Sequence, residues 1–404
     1  MSAILDKLLK GQNVEWHTIE QIFHLRNGYT PSKSNKVYWT NGTIPWFRME
    51  DIRENGNILD SALQQISESA VKGNKLFPKN SFIIATSATI GEHALITVPY
   101  LANQRFTNLS LKDDFINRFN IYFLYYYLFK LDEWCRNNTT MSSFASVDMN
   151  GFRKFEIPIP PLDVQAEIVR ILDAFTAVTA ELTAELNMRE RQYQYYRDKL
   201  LSFSDAGIET DSNRQQQTAL CERLTNNVKQ NHQIIWKNLG EVVKIKNGKD
   251  WKNLGQGDIP VYGSGGIMNY VDKASYDKVS VLIPRKGTIT NIFYTEKPFW
   301  NVDTIFYTEI DESQIFPKFL FHFMKNFDLT TLSTDSTRPS LTQTTLNKIS
   351  IPLPSLNEQK RISNILDKFE TLTHSITEGL PKEITLREQQ YEYYREQLID
   401  FPKN

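Results

Sequence analysis

The chain contains one polar, tyrosine-rich phrase twice. The sequence REQQYEYYREQL at 387–398 nearly copies RERQYQYYRDKL at 189–200, with eight of twelve letters identical, at a displacement of 198 residues in a chain of 404. A second pair is longer: IPIPPLDVQAEIVRILDAF at 157–175 returns as IPLPSLNEQKRISNILDKF at 351–369. Internal self-similarity indicates a repeated architecture. The chain is therefore predicted to be two copies of one design, each a variable body followed by an I-P-x-P hinge and a long helix.

The region after each hinge has the residue spacing of a coiled coil. In the first copy, apolar or repeat-matched residues alternate at intervals of four and three, at Ile168, Leu172, Phe175, Thr179, Leu182, Leu186, Arg189, Tyr193, Tyr196, Leu200 and Phe203. The second copy keeps this seam at Ile362, Leu366, Phe369, Thr373 and Ile376, and resumes it at Tyr391, Tyr394, Leu398 and Phe401. Two such seams in one chain can be buried against each other, so we expect an antiparallel pair of helices. A helix of roughly 40 residues spans ~60 Å, which would place the two bodies at opposite ends, related by a pseudo-two-fold axis.

The second helix is predicted to be interrupted. From the seam phenylalanine to the repeated arginine, the first copy takes 14 residues (175 to 189) and the second takes 18 (369 to 387). Four inserted residues form a stutter, which locally unwinds a supercoil. Gly379 and Pro381 lie inside the insertion, and proline disrupts a helix interior, so we expect a break or kink there.

The predicted fold class is α+β: two mixed α/β bodies separated by two long antiparallel helices in a pseudo-two-fold internal repeat. Short β-branched runs predict strands at 81–85, 94–98, 279–284 and 304–307. Aromatic-rich runs at 119–129 and 316–327 predict buried helices, although their periodicity also allows strands. The predicted segments are an N-terminal helix (1–15), body 1 (16–158), a central helix and linker (159–235), body 2 (236–352) and a C-terminal helix (353–404). The N-terminal SAILDKLLK is amphipathic and is expected to pack beside the end of the C-terminal helix.

The sequence gives no sign of a membrane protein, a secreted protein or an enzyme. No apolar run approaches the ~18 residues of a membrane span, and the start is too charged for a signal peptide. Cys135 and Cys221 make neither a disulfide framework nor a zinc site, so we expect a reduced, cytoplasmic setting. The motifs G-x-S-x-G, P-loop, H-E-x-x-H and paired C-x-x-C are missing, as are the D-P-P-[FYW] and F-x-G-x-G patterns of methyltransferases. An E-x-K at 358–360 is interpreted as a solvated helix face, and GSGG at 263–266 as a turn.

The loops of both bodies carry side chains suited to nucleic acid. The net charge of −1 gives no global basic footprint. However, Arg, Lys, Asn, Gln, Ser and Thr are the side chains that contact phosphates and base edges. The candidate DNA contacts are Lys33, Lys36, Arg48, Thr86, Ser87, Gln104, Arg105, Asn138, Thr140, Ser142, Ser143, Lys249, Lys252, Tyr262, Ser264, Arg285, Lys286, Thr288, Ser336 and Arg338. The alternative is that surface loops are polar in any protein, and it stands for each residue taken singly.

The repeated phrases and the order body–helix–body–helix resemble the specificity subunits of type I restriction–modification systems. The resemblance covers essentially the whole chain and is carried by IPIPPLDVQAEI with IPLPSLNEQKRI, and by the doubled QYxYYR helices. It implies two target recognition domains that each read half of a bipartite double-stranded DNA site. It also implies helices that act as a ruler and dock two methyltransferase subunits, with restriction subunits joining them. By the same resemblance the chain has no catalytic or metal site and no cofactor of its own; S-adenosylmethionine, ATP and Mg²⁺ are bound by the partners.

Four residues of the repeated phrase are predicted partner contacts: Tyr195, Arg197, Tyr393 and Arg395. The seam itself needs only the flanking tyrosines, and tyrosine and arginine are enriched at protein interfaces. For the seam tyrosines, capping of the coil ends remains an equal alternative. Two rival functions also remain at this point. A single-chain methyltransferase or nuclease would need a cofactor motif, and a coiled-coil scaffold would show no salt-dependent DNA binding.

Overall fold

The computed structural model describes residues 2–140, 145–203, 234–333, 339–375 and 377–403. The chain divides into two compact units, Met1–Glu181 with Thr385–Asn404, and Leu182–Ile384. Each unit therefore contains one body and parts of both repeated helices. Six residues singled out in the sequence lie outside the described residues: Ser142, Ser143, Cys221, Ser336, Arg338 and Ile376.

The helices range from single turns to one of 40 residues. Their bounds are α1 (Ala3–Leu9), α2 (Ile19–Ile22), α3 (Met49–Asn55), α4 (Asp113–Ile116), α5 (Ile121–Asn137), α6 (Met149–Lys154), α7 (Leu162–Leu201), α8 (Leu239–Val242), α9 (Pro317–Asn326), α10 (Gln343–Asn347), α11 (Leu356–His374) and α12 (Leu380–Ile399). Short 3-10 helices lie at Lys36–Trp39, Glu68–Ala70, Lys72–Asn74 and Leu329–Leu332. Both aromatic-rich segments predicted to be helical are confirmed, as α5 and α9.

The strands are short. Their bounds are β1 (Glu15–Thr18), β2 (Phe23–Asn27), β3 (Ile44–Phe47), β4 (Ile58–Leu59), β5 (Gln65–Ile66), β6 (Ser81–Ala85), β7 (His93–Ile96), β8 (Leu101–Ala102), β9 (Phe106–Leu111), β10 (Thr139–Thr140), β11 (Ser146–Val147), β12 (Glu156–Ile159), β13 (Ile235–Asn238), β14 (Val243–Asn247), β15 (Ile259–Gly263), β16 (Gly266–Val271), β17 (Ser280–Pro284), β18 (Phe293–Thr295), β19 (Trp300–Asn301), β20 (Ile305–Ile310) and β21 (Ser350–Leu353). All four strands predicted from the sequence exist, as β6, β7, β17 and β20, with shifted ends in the last three.

The first unit contains a five-stranded sheet of order β2-β9-β6-β7-β4 and a smaller sheet of order β5-β3-β8. Strand β9 is antiparallel to both β2 and β6. The C-terminal ends of β2 and β6 therefore lie beside the start of β9, at one edge of the sheet. Helix α5 supplies Phe123 and Leu128 to a buried core that also contains Leu172 of α7 and Leu398 of α12.

The second unit repeats this arrangement with fewer strands. Its larger sheet has the order β14-β20-β17-β18, and β15 lies between β16 and β19 in the smaller one. Strand β20 is antiparallel to both β14 and β17. In both units the Trp-led strand pairs with the hinge strand: Trp16 lies opposite Pro158, and Trp236 lies opposite Pro352. The sequence echoes between the bodies thus correspond to one common scaffold.

The predicted helix seams are confirmed. Every seam position of α7 is buried or half-buried, whereas its neighbours at 176–178 and 183–184 are exposed. In the first unit, the rings of Phe175 and Tyr394 stack with centroids 5.1 Å apart. In the second unit, Tyr196 stacks on Phe369 at 5.5 Å. Each helix is therefore buried against the other copy within each unit.

The predicted break in the second helix is confirmed. Helix α11 ends at His374 and α12 begins at Leu380. Gly379 has φ +80°, and a Cβ there would crowd the Thr371 and Leu372 backbone. The first copy has no counterpart of this break, because α7 is continuous from Leu162 to Leu201.

Helix α1 packs where the sequence predicted. Its hydrophobic residues Leu5 and Leu9 are buried in the same core as Leu398 and Ile399 of α12. The Ser2 hydroxyl donates to the Gln397 carbonyl at 2.6 Å. The first and last described helices of the chain therefore stabilise the same unit.

A buried glutamine fixes the first hinge to body 1. Gln165, in the first turn of α7, is fully buried. Its Oε1 accepts from the Asn120 N–H at 2.8 Å, and its Nε2 donates to the carbonyls of Arg118 at 2.9 Å and Pro160 at 2.8 Å. One side chain thus satisfies three backbone groups that would otherwise be buried without partners.

The second hinge repeats this clamp. Gln359 is also fully buried, accepts from the Phe316 N–H at 2.7 Å, and donates to the carbonyls of Gln314 at 3.2 Å and Pro354 at 2.9 Å. In both units the glutamine holds the start of the body's main helix to the I-P-x-P hinge. The I-P-x-P phrase and this glutamine therefore act together.

Candidate nucleic-acid interface

Five of the nine predicted DNA contacts of body 1 that the structure describes gather at the sheet edge where β2 and β6 end. Thr86 follows β6 and donates its backbone N–H to the Arg105 carbonyl at 3.0 Å. Ser87 forms an isolated β-bridge with Ser146, and the Thr140 hydroxyl donates to the Ser146 carbonyl at 3.1 Å. We call this set the polar edge of body 1: Thr86, Ser87, Gln104, Arg105 and Thr140.

The predicted contacts of body 2 gather at the equivalent edge. Arg285 follows β17 and donates its backbone N–H to the Thr304 carbonyl at 2.8 Å. Lys286 forms an isolated β-bridge with Ser340. We call this set the polar edge of body 2: Ser264, Arg285, Lys286, Thr288 and Thr304. Thr304 was not among the sequence candidates.

The two polar edges rest on the same backbone hydrogen bonds. In body 1 the Val147 N–H donates to the Thr86 carbonyl at 2.9 Å, and in body 2 the Leu341 N–H donates to the Arg285 carbonyl at 2.8 Å. Each edge is therefore fixed on one side by a central strand and on the other by the segment that leads to the hinge. The equivalence holds although the residues themselves differ.

The turn on the other side of each edge is also the same. In body 1 the Phe106 N–H closes the turn by donating to the Asn103 carbonyl at 3.2 Å. In body 2 the Ile305 N–H donates to the Val302 carbonyl at the same distance, 3.2 Å. Arg105 is the third residue of the first turn, and a threonine is the third residue of the second.

A glycine after the first strand of each sheet allows this turn to approach. A Cβ on Gly28 would overlap the carbonyl oxygens of Ala102 and Asn103, and a Cβ on Gly248 would overlap two carbonyl oxygens of the equivalent segment in body 2. These contacts are with backbone, which a side-chain rotation cannot relieve. Both N-G dipeptides, which end β2 and β14, are therefore required by close packing.

Three further candidates of body 1 share one pocket. Lys33, Lys36 and Arg48 line a cavity of about 420 Å³ together with Trp39 and Trp46. The Arg48 guanidinium carbon lies 5.7 Å from the centre of the Trp46 ring. Cations and flat rings at one opening suit phosphates and stacked bases.

A second pocket adjoins the polar edge of body 2. Trp251, Lys252, Ser264 and Thr304 are among the residues that line this cavity of about 860 Å³. Lys249 is exposed and accepts from the Trp300 indole N–H through its carbonyl at 3.0 Å. Lysine, tryptophan and serine thus meet beside the polar edge, as lysine and tryptophan meet in body 1.

Two candidates lie apart from the polar edges. Tyr262 packs its ring against Phe293 and Phe299, and burial raises the pKa of its hydroxyl. Asn138 donates to the Trp134 carbonyl at 2.8 Å and lines a separate cavity of about 690 Å³. The structure therefore gives each of these two residues a role within its own body.

The repeated tyrosines are equivalent in the two copies. Tyr195 is 50% exposed and Tyr393 is 58% exposed. Each meets the following seam tyrosine edge-to-face at 5.4 Å, at interplanar angles of 74° for Tyr196 and 76° for Tyr394. The seam tyrosines pack inward, so only one tyrosine of each pair presents a large free face.

The two arginines of the phrase are not equivalent in their contacts. Arg197 bonds Asp198 at 3.0 Å and lies over the Tyr193 ring at 5.8 Å. Arg395 lies over the rings of Phe129 at 4.5 Å and Tyr391 at 5.4 Å. Arg395 therefore packs on α5 of its own unit, a contact that the sequence did not indicate.

Sequence reasoning missed a buried pair in body 1. His93 is fully buried, with Nδ1 at 2.5 Å from an Asp132 carboxylate oxygen and Nε2 at 3.0 Å from the Tyr125 carbonyl. Its partners lie 32 and 39 residues away, and no motif marks such a pair. Nearby, burial raises the pKa of the Cys135 thiol to about 12, so this cysteine is not a reactive nucleophile.

A repeated aspartate was also missed. In the first unit, the Tyr126 hydroxyl donates to Asp173 at 2.6 Å. In the second, His322 Nε2 and Lys318 Nζ bond Asp367 at 2.7 and 2.6 Å. Burial alone would raise the pKa of Asp367, but the bonds from His322 and Lys318 outweigh it and hold the pKa below its usual value. Identity of Gln165 with Gln359, and of Asp173 with Asp367, in the repeat was the available sequence signal.

No site for a metal ion emerges within the described ranges, where no three His, Cys, Asp or Glu side chains group as ligands. None of the helices in the described part of the chain is long and apolar enough to cross a membrane.

Comparison with known proteins identifies the class. The model of the "Type I restriction modification DNA specificity domain" matches residues 12–189 and 235–386, one match for each copy of the repeat. Two such domains in one chain define a DNA specificity protein of the type I class. The chain belongs to the family of type I restriction–modification specificity subunits.

Relatives match over nearly the full chain. The type I restriction enzyme EcoprrI specificity subunit of Escherichia coli is 46% identical over 399 residues, covering 93% of this chain and 92% of the relative. A putative type I restriction enzyme specificity subunit of Haemophilus influenzae is 31% identical and covers 99% and 98%.

Solved structures share the fold. The S subunit of a type I restriction–modification system from M. genitalium aligns over 97% of both chains with a TM-score of 0.57 at 19% identity. A chain from a structure that describes complex assembly of the type I R-M system aligns over 96% of this chain and 98% of that one, with a TM-score of 0.61 at 14% identity. At these identities the likeness concerns the fold.

Proposed function

We propose that this chain is the DNA sequence-recognition subunit of a type I restriction–modification complex. Each body reads one half of a bipartite double-stranded DNA site. The paired helices set the spacing between the halves and dock two methyltransferase subunits and the restriction subunits. One observation supports the proposal: two polar edges, found at the same place on two copies of one scaffold, carry different side chains at matching positions, of types that can contact bases.

The proposed target recognition domains are residues 16–158 and 236–352. Residues 159–235 form the central helix and linker, residues 353–404 form the second helix, and residues 1–15 form a helix that supports its end. The proposed DNA contacts are the polar edges, the pocket of each body and the remaining candidates: Asn138, Lys249, Tyr262, Ser142, Ser143, Ser336 and Arg338.

The chain is noncatalytic, as specificity subunits are. The transferred methyl group comes from S-adenosylmethionine, which the methyltransferase partners bind, and ATP and Mg²⁺ serve the restriction subunits. The specificity subunit contributes sequence selection and positioning to this chemistry. Its proposed location is the cytoplasm, where its DNA and its partners are.

The docking surface proposed for the methyltransferase is an exposed stripe on each repeated phrase. Met188 and Tyr195 are 44% and 50% exposed, and Leu386 and Tyr393 are 45% and 58% exposed. Members of each pair lie seven residues apart and therefore share one helix face. Exposed apolar side chains at matching positions of both copies fit two identical partners, because a partner that binds one copy can bind the other in the same way.

Alanine substitution tests this docking surface. Tyr195→Ala should weaken binding of one methyltransferase subunit by roughly tenfold, since a buried interface tyrosine contributes 1–2 kcal/mol or more. Tyr393→Ala should do the same for the other, so that the two variants give complexes with one partner each. The control is Tyr122→Ala, which removes a tyrosine that is 40% exposed on α5. Native mass spectrometry of the complexes reports the stoichiometry. If both variants still bind two methyltransferase subunits, the stripe is not the docking surface.

The function itself is tested by methylation. The purified chain with its methyltransferase partner should methylate adenine within one bipartite site, and neither component should do so alone. DNA binding should weaken steeply with salt, because phosphate contacts release counterions. Methylation by the chain alone would make it an enzyme, and salt-insensitive or absent DNA binding with partners present would make it a scaffold.

A further inference from the structure

The polar edges carry the same pair of residue types in exchanged order. In body 1, Thr86 follows the central strand and Arg105 occupies the turn. In body 2, Arg285 follows the central strand and Thr304 occupies the turn. In each body the residue after the strand donates its backbone N–H to the carbonyl of the residue in the turn, at 3.0 and 2.8 Å. Each edge therefore holds one arginine and one threonine on adjacent backbone positions.

Both arginines are available to a ligand. Arg105 is exposed and Arg285 is half-exposed. Across the described part of the chain, no carboxylate lies within 4.0 Å of either guanidinium. In contrast, Arg48 and Arg118 each have an acidic partner. A guanidinium without such a partner keeps its paired N–H donors for an external acceptor.

Each arginine is also held in place by its own body. The Arg105 N–H donates to the Asn103 side-chain oxygen at 3.0 Å, which fixes the turn. The Arg285 guanidinium carbon lies 5.8 Å from the centre of the buried Phe306 ring. At the matching position of body 1, the Thr86 hydroxyl instead meets the Thr107 hydroxyl at 3.0 Å. The support differs between bodies, but each edge positions a single guanidinium.

We propose that each body reads one G·C pair of its half-site with this arginine, Arg105 in body 1 and Arg285 in body 2. Guanine O6 and N7 are two adjacent acceptors that match the guanidinium fork. Lysines in the pocket of each body, among them Lys36 and Lys252, supply charge for the phosphates, which leaves the arginine of the edge for a base. The inference rests on the proposed function, since it needs each body to bind a half-site. In body 1 the arginine lies in the turn, whereas in body 2 it follows the central strand. The guanine should therefore lie on a different side of each edge.

The test uses the chain assembled with its methyltransferase partners and duplexes that carry the bipartite site. Each guanine of the site is replaced in turn by 7-deazaguanine, which lacks the N7 acceptor. The wild-type complex should lose affinity about fivefold or more at one guanine in each half-site. Arg105→Lys should lower affinity for the unmodified site ~10-fold, and its further loss with the analogue should be smaller than that of the wild type in one half only, because an ammonium lacks the planar fork that holds N7 and O6 together. Arg285→Lys should do the same in the other half.

Lysine is the informative substitution because it keeps the charge and loses the fork. Arg53→Lys is the matched control: Arg53 is exposed on α3 of body 1, and its replacement should leave the analogue profile unchanged. If both edge variants keep the wild-type profile, the arginines contact phosphates and the inference fails while the proposed function stands. If the wild-type complex prefers no bipartite site, the proposed function fails as well. Thermal unfolding of each complex verifies that the variants are folded.

Discussion

The two hinges of the repeat have the same buried side chain, whereas the two polar edges share only their backbone hydrogen bonds. At the hinges, Gln165 and Gln359 are the same residue with the same three kinds of backbone bond. At the polar edges the backbone bonds are also the same, but the side chains are exchanged or unrelated. A buried glutamine at the hinge cannot easily be replaced, because two backbone carbonyls and one backbone N–H have it as their hydrogen-bond partner. A residue of the edge is held by its backbone, so the scaffold does not depend on its side chain, which is free to change.

The largest expected effect comes from the hinge. Gln165→Glu keeps the size of the side chain and its acceptor, but it loses both donors and buries a charge. We expect a loss of about 2–4 kcal/mol in the free energy of unfolding of the first unit. Gln359→Glu should cost the second unit a similar amount, because its bonds are equivalent. Denaturant unfolding measures both. A loss of stability in only one of the two variants would show that the hinges are not equivalent. Gln389→Glu, at an exposed position, serves as the control.

A smaller effect is expected at the glycines beneath the polar edges. Gly28→Ala and Gly248→Ala each place a methyl group against backbone carbonyls, and overpacking of this kind typically costs about 1–3 kcal/mol. The turn that carries Arg105 should shift in the first variant, so recognition of one half-site should weaken while the other is unaffected. Half-site competition binding separates the two. Gly265→Ala is the control for the stability measurement, because Gly265 has open space around its Cβ position and no left-handed backbone angle. Equal weakening of both half-sites would show that the edges are not independent.

The smallest expected effect concerns the acid dependence of the bonds to Asp367. The pKa of Asp367 is lower in the folded state than its usual value. Its bonds with His322 and Lys318 therefore stabilise the fold at any pH above that usual value, where the carboxylate is ionised. This contribution is lost as the pH falls through the lowered pKa, below about 3.8. Asp367→Asn should therefore flatten the decline of the melting temperature below pH 4. An unchanged decline would mean that other carboxylates dominate the acid response; Asp163→Asn, at an exposed position in α7, is the control.

The sequence predicted the repeated parts well, for a physical reason. The seams, the break at Gly379 and the position of α1 follow from residue spacing and backbone preference, which are local properties. Thr86 and Arg105 could be proposed as candidates from the sequence, because polar residues between predicted strands are recognisable there, and their role stays a prediction. Their gathering at one edge depended on the antiparallel pairing of β9, which the sequence did not specify.

What the sequence missed depends on distant contacts. The partner of His93 is Asp132, 39 residues away, and neither residue lies in a motif. Thr304 was overlooked because only its structural equivalence with Arg105 makes it notable. Tyr262 was selected from a loop-like YGSGG phrase, which did not indicate that its ring packs among aromatic residues.

The division of the repeated helices between units affects how the protein is made. The core of body 1 includes Leu398 and Phe401 of the second helix, although its own strands end with β12 at Ile159. About 240 residues separate the end of β12 from Leu398. At roughly 5–20 residues per second of synthesis, this separation is a delay of roughly 10–50 s. During that time body 1 has all its strands but an open hydrophobic flank. Chains that stop before residue 398 would therefore keep this surface exposed, and they would be recognisable to chaperones and proteases as unfinished.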